Sequence, residues 1–149
     1  MTDARTKAKK VPDAVREILR RSGHEVRNAL NAVAVNVEVV RSRAGREGSA
    51  RELNSFAERA SAQVGEANAL TNGLLALVNS LLAAQAAGTL KPAGRGAGTG
   101  LELRIGGESF PAVMSDIEHL ASRIAVGVEQ QGERVILRVL PEGQSHSKD

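Results

Sequence analysis

Cysteine is absent from the 149 residues, which excludes a disulfide framework and a thiolate zinc site and removes any support for an oxidising, secreted setting. Aromatic residues are almost as scarce: there are two Phe and no Trp or Tyr, so a nucleic-acid surface built on stacked bases has little to work with. Positive charge exceeds negative by only three. The Lys and Arg residues scatter through the chain instead of forming one basic stripe, so the footprint of a nucleic-acid binder is missing. No apolar run reaches the length of about 18 residues that a membrane span needs. The basic start MTDARTKAKK is followed by the charged VPDAVREILRR, where a signal peptide would have an apolar core. The expectation is a cytoplasmic protein with no nucleic-acid and no membrane partner.

What the chain does have is Ala, Val and Leu in helical phase. Hydrophobic residues make up 42% of the sequence, and small aliphatic side chains suit closely packed helices. Residues 1–11 are read as a disordered N-terminus. From Pro12, acceptable in a first helical turn, Val26, Leu30, Val33, Val37 and Val40 recur at alternating spacings of four and three, the pattern of one helix face. Val15, Leu19 and Ser22 extend it upstream with one extra residue of phase, and the helix should end near Ala44. After the break Gly45–Gly48, Ser49 and Glu52 stand as a capping box. A second helix then carries Leu53, Phe56, Ala60, Val64, Ala67, Leu70, Leu74, Leu77 and Leu81 until Gly88 supplies a stop.

So short a loop makes the helices an antiparallel hairpin, here residues 12–88. Two helices of about 30 residues, each about 45 Å long, leave one side of their apolar seams wet. A second copy would close a four-helix bundle. The expected fold is therefore mainly α, a dimeric four-helix bundle with a small C-terminal α/β remnant. Residues 89–100 form a linker whose glycines fit no phosphate-binding spacing. Residues 101–141 read as an α/β unit: a strand at Leu101–Ile105, a short second one around Ala112–Met114, a helix from about Asp116 to Val128 and a strand at Arg134–Leu140. At about 40 residues it is near the lower limit for folding alone and should lean on the hairpin. Residues 142–149 are a disordered tail.

The segment with chemical content is His24-Glu25-Val26-Arg27-Asn28-Ala29-Leu30-Asn31. At about 100° per residue, His24 lies across the helix from the Val26–Val40 seam, so it points to solvent and is not a core histidine. A neutral imidazole can attack a phosphoryl group through one nitrogen while an acceptor holds the other. Glu25 is adjacent and can be that acceptor or a general base. Asn28, one turn further on, can hold a water in line with a phosphorus on His24. Arg27 is read as a solvated charge, and His119 and His146 as a surface helix residue and a tail residue. Val35 lies about 20° and Val39 about 60° from His24 around the helix. With Ala32, they are candidates for a surface on which a partner helix docks.

This octapeptide resembles the H-box of sensor histidine kinases, usually His-Glu-Leu-Arg/Lys-Asn/Thr-Pro-Leu, which lies on the first helix of a dimerisation and histidine-phosphotransfer hairpin. The chief departure is Ala29, where the family usually has Pro. The resemblance implies that His24 is the phosphoacceptor, Glu25 its acid/base partner and Asn28 the residue that positions water for dephosphorylation of a partner. LELRIGGESFPAVMSDIEHLASRIA in turn resembles the entry into a histidine-kinase ATP-binding domain. The following segment, Ile124 to Gln131, expected to be the helix that carries magnesium-binding Asn residues, contains no Asn, and no Asp-x-Gly-x-Gly segment occurs. The groups that neutralise charge during transfer from ATP are thus not supplied.

The implied function is that of a bundle-type histidine phosphotransferase, relaying phosphate between His24 and an Asp of a response-regulator receiver domain, with a histidine kinase as a further possible donor. It calls for no cofactor and no metal and has no autonomous kinase activity. The alternatives are a non-catalytic interaction module that binds a regulator or kinase, and a structural coiled-coil dimer in which the His-Glu pair is incidental.

Overall fold

The computed structural model describes residues 2–44, 50–93 and 99–142, with side chains from Val11 onward. The loop Gly45–Gly48 and the capping Ser49, most of the glycine-rich segment and the tail with His146 lie outside the described residues. The chain is mainly helical. Helix α1 spans Thr2–Arg43 and α2 spans Ala50–Ala87. They pack along each other and are followed by β1 (Lys91–Pro92), β2 (Gly100–Arg104), α3 (Phe110–Arg123), β3 (Val126–Gln131) and β4 (Arg134–Val139).

Helix α1 begins ten residues before the Pro12 start expected from sequence, so residues 2–11 are helical and not disordered. Pro12 lacks an N–H and disfavours a helix interior, but the run around it is rich in Ala, Lys and Arg, which are strong helix formers. The helix also runs unbroken through Gly23 and Ala29, so no bend marks the site where a family proline would stand. The face of α1 that meets its neighbours carries Ala14, Ile18 and Ser22, all fully buried, and then Val26 and Ala29. Ser22 hides its hydroxyl by donating to the Ile18 carbonyl at 2.7 Å. Further along, Asn36 Nδ2 donates to Gln63 Oε1 at 2.6 Å and fixes the register of α1 against α2.

Helix α2 ends as the sequence predicts. Gly88 adopts φ +75°, the Thr89 N–H bonds to the Ala84 carbonyl and the Gly88 N–H to the Gln85 carbonyl. This is a Schellman stop, which favours glycine because the conformation is left-handed. By length and composition α2 is apolar enough to cross a membrane. In the structure Leu70, Leu77, Leu81 and Ala84 of this helix are instead core residues.

The C-terminal unit departs from the expected order of elements. Ala112–Met114 is helical, because Pro111 sits in the first turn of α3, a position that suits proline. The helix expected to continue to Val128 stops at Arg123. Ala125 takes φ +57°, and Ile124–Gln131 becomes the approach to β3 and the strand itself. The alternation of Val126 and Val128 with Gly127 and Glu129 has the strand period of two, which the helical reading of this segment overrode. A two-residue turn led by Gly132 at φ +64° joins β3 to β4, as hairpin geometry requires. The sheet is antiparallel between neighbours, in the order β1-β2-β4-β3, so β4 lies between β2 and β3. The linker is not featureless either, since Lys91 and Pro92 pair with Glu102 and Leu101.

Leu101, Leu103, Val135 and Leu137 point from the sheet into one core with Met114, Ile117 and Leu120 of α3, Leu70 and Leu77 of α2, and Ile18 of α1. The unit therefore does lean on the hairpin and shares its core. Gly73 makes the α2–α3 approach possible: a Cβ there would lie 2.6 Å from the Asp116 carbonyl oxygen and 2.8 Å from Leu120 Cβ. A polar clamp completes the docking. Arg21 is buried on α1, and its Nη1 donates to the carbonyls of Ile124 (3.2 Å), Ala125 (3.0 Å) and Leu140 (2.8 Å). Its Nε donates to Glu17 at 2.7 Å. Hydrogen bonds from Arg20, and then from Arg21, lower the Glu17 carboxyl to a pKa of about 2.

Gly73→Ala should destabilise the protein by about 2 kcal/mol, the scale of overpacking in a filled interface. Gly65→Ala, where a Cβ meets nothing within 4 Å, should stabilise α2 by about 1 kcal/mol. Denaturant unfolding of the two variants checks both signs. Because the folded-state pKa of Glu17 is depressed, its contribution is complete above the ordinary value of 4.5 and is lost as pH falls toward 2. Glu17→Gln should therefore melt below the unmodified protein at neutral pH, and the two melting curves should converge in acid.

Candidate functional site

His24 is exposed on α1, three residues beyond Arg21, as the seam argument requires. Arg27 is exposed too. Glu25 is largely shielded, with 21% of its side chain accessible, and is not simply a free neighbour of His24: Arg123 Nη2, from the last turn of α3, donates to Glu25 Oε2 at 2.9 Å. The other terminal nitrogen of Arg123 donates to Glu66 Oε2 of α2 at 2.8 Å. His119 Nε2 lies 3.0 Å from the same Glu66 oxygen. One guanidinium thus ties together carboxylates from two helices, and a histidine supports the second carboxylate.

Glu25, Asn28, Ala29 and Ala32 of α1, Gln63 and Glu66 of α2, and Arg123 of α3 line an open cavity of about 200 Å³. The structure brings Glu25, Asn28 and Ala32 to this one cavity. Val35 is 63% exposed and Val39 half-buried further along the same helix.

Their common side follows from the fixed Asn36–Gln63 contact. At about 100° per residue, His24, Asn28, Ala32, Val35 and Val39 all lie to one side of Asn36 on α1. Glu66 and Gly73, which meet α3, lie to the corresponding side of Gln63 on α2. His24 and α3 therefore share a face of the hairpin.

The opposite face is apolar. On α1, Leu19, Leu30 and Val37 lie about 100–120° from Asn36 in the other sense; on α2, Val64, Leu75 and Leu82 lie about 100–120° from Gln63. Since the helices run antiparallel, these equal rotations point to the same side. Leu30, Val37, Val64, Leu75 and Leu82 are all between 44% and 59% exposed in the single chain.

Sequence reading missed Arg123, Glu66 and His119 as parts of this site. His119, expected to be an ordinary surface residue, is drawn into the cross-helix network. The signal was faint: His119 and Arg123 are four apart on α3 and so share a face, but nothing in the sequence says that this face meets Glu66. A second open cavity, of about 540 Å³, lies by the outer side of the sheet. Its shielded Glu102 is already flanked by Lys91 and Arg134, each at 3.6 Å, so its charge is met within the fold. Among the described residues no cluster of His, Asp and Glu could hold a metal ion.

Comparison with protein-family models, with curated proteins and with solved structures finds no match.

Proposed function

We propose that the protein is a dimeric histidine phosphotransfer protein, acting in the cytoplasm, in which His24 exchanges phosphate with an Asp of a response-regulator receiver domain. The observation that carries this reading is the division of the hairpin into two faces. An exposed histidine lies on one face, near a cavity lined by the Glu25 carboxylate and the Asn28 amide of the same helix, and an unpaired apolar stripe lies on the other.

In the transfer step, one ring nitrogen of His24 attacks the phosphorus of the aspartyl phosphate. An N–P bond forms and the acyl P–O bond breaks, and the Asp leaves as a carboxylate. For the proton on the other ring nitrogen, Glu25 is the adjacent acceptor; a hydrogen bond to it during transfer would favour the imidazole tautomer that attacks and stabilise the cation that develops. The reverse reaction regenerates the aspartyl phosphate. Asn28, at the mouth of the cavity, can orient water for hydrolysis. Val35 and Val39, with Ala32 at the cavity wall, offer an apolar seat for a receiver helix.

The second copy is the occupant that suits the opposite face, because the stripes on α1 and α2 are coplanar and run along the hairpin, as two-fold packing into a four-helix bundle requires. Leu30→Glu or Leu75→Glu should convert a dimer into a folded monomer, since each side chain is already solvent-exposed in the single chain. Sedimentation and circular dichroism read the two properties separately. A compact monomer for the unmodified protein would contradict the pairing.

His24→Ala should abolish labelling by a phosphorylated receiver domain while leaving dimerisation and helix content intact, a surface change worth about 0.5 kcal/mol. Asn28→Ala should mainly slow loss of phosphate. If the unmodified protein binds the receiver yet never takes label, the non-catalytic interaction module is the better account.

A further inference from the structure

We infer that Arg123 is a positioning residue for this chemistry: carried to α1 by the C-terminal unit, it holds the Glu25 carboxylate in place beside His24. The inference rests on the phosphotransfer reading and gives the C-terminal unit a task that does not involve ATP.

A glutamate on a helix surface has three side-chain torsions and, left alone, samples many positions that do not address its neighbour. Arg123 removes that freedom at one oxygen. Its Nη2 takes Glu25 Oε2 at 2.9 Å, and Oε1 has no protein partner among the described residues, so one oxygen is anchored while the other can accept from the His24 ring. Arg123 is itself fixed, because its Nη1 is held by Glu66 at 2.8 Å and Glu66 is braced by His119. The backbone just after it is clamped as well, since Arg21, three residues before His24, takes the carbonyls of Ile124 and Ala125. Helix α3 is thereby pinned at both the main chain and the side chain next to the site.

Arg123 is 45% exposed, and ion pairs this open contribute little to folding. What the contact does supply is order in Glu25, and a group held in a reactive position is worth far more to a rate than to a fold. A lysine could not substitute fully, because two carboxylates on different helices are taken by two nitrogens of one planar group.

The test uses the full chain and phosphoramidate, a small donor whose P–N bond breaks as the bond to histidine forms and ammonia leaves, so that no partner protein is needed. The unmodified protein, Glu25→Ala, Arg123→Ala, Arg123→Lys and the double variant Arg123→Ala with Glu25→Ala are compared for phosphate bound at His24. Arg123→Ala should lower the maximal rate about tenfold with the half-saturating donor concentration unchanged, and Arg123→Lys should recover only part of the loss. The double variant should match Glu25→Ala alone, the non-additivity expected of residues acting as one unit.

Additive losses, a change confined to half-saturation, or an unaltered rate in Arg123→Ala would overturn the role. If Arg123→Ala fails to fold, Arg123→Lys carries the same comparison. No phosphate on His24 in the unmodified protein would sink the phosphotransfer reading itself, and the role of Arg123 with it. A normal His24 and a sensitive Glu25 beside an indifferent Arg123 would sink only the latter.

Discussion

The buried guanidinium of Arg21 is the constraint on which the rest of the molecule turns. An unpaired charge in this position would be strongly unfavourable, and the fold answers it with three main-chain carbonyls, from Ile124, Ala125 and Leu140, and the Glu17 carboxylate. Those carbonyls come from the end of α3, the start of β3 and the end of β4, so one side chain fastens the whole C-terminal unit to α1. Charge and dipole agree here, since a cation at the C-terminal end of α3 meets its partial negative charge. The apolar core fills in behind this contact, and Gly73 lets α3 approach α2 closely enough for the core to be continuous.

Fixing the unit at this height along α1 has a consequence for chemistry. Arg21 and His24 are less than one helical turn apart, so docking α3 against the first delivers the side chain of Arg123 to Glu25, the residue that follows the second. The hairpin then has a polar, built face around His24 and an apolar face opposite it. The proposed pairing with a second copy and the proposed docking of a receiver draw on these two different sides.

Much of the hairpin was legible because helix periodicity is a local signal. Val26, Leu30, Val33, Val37 and Val40 announce α1, and Gly88 announces the end of α2 through the left-handed conformation it adopts. The periodicity could not say that this seam would divide, with Val26 half-buried and Leu30 and Val37 in solvent, because that depends on how far round the helix the neighbour sits. The reading of Ile124–Gln131 as helix failed where α3 gives way to a strand at Ala125, a residue without the glycine that usually marks a left-handed turn. Of the site, His24, Glu25 and Asn28 were readable as neighbours on one helix. Arg123, Glu66 and His119 were not, since their meeting depends on tertiary contacts across about 50 to 100 residues of chain.

The central claim is that the phosphate resides on His24 and nowhere else. The most direct test is to incubate the full chain with a phosphorylated receiver domain, then locate the phosphate by fragmentation mass spectrometry at neutral pH, before and after mild acid. The account predicts a phosphate on the His24 imidazole that acid removes, as befits a P–N bond. A phosphate found on His119, on a hydroxyl, or on no residue at all would contradict it.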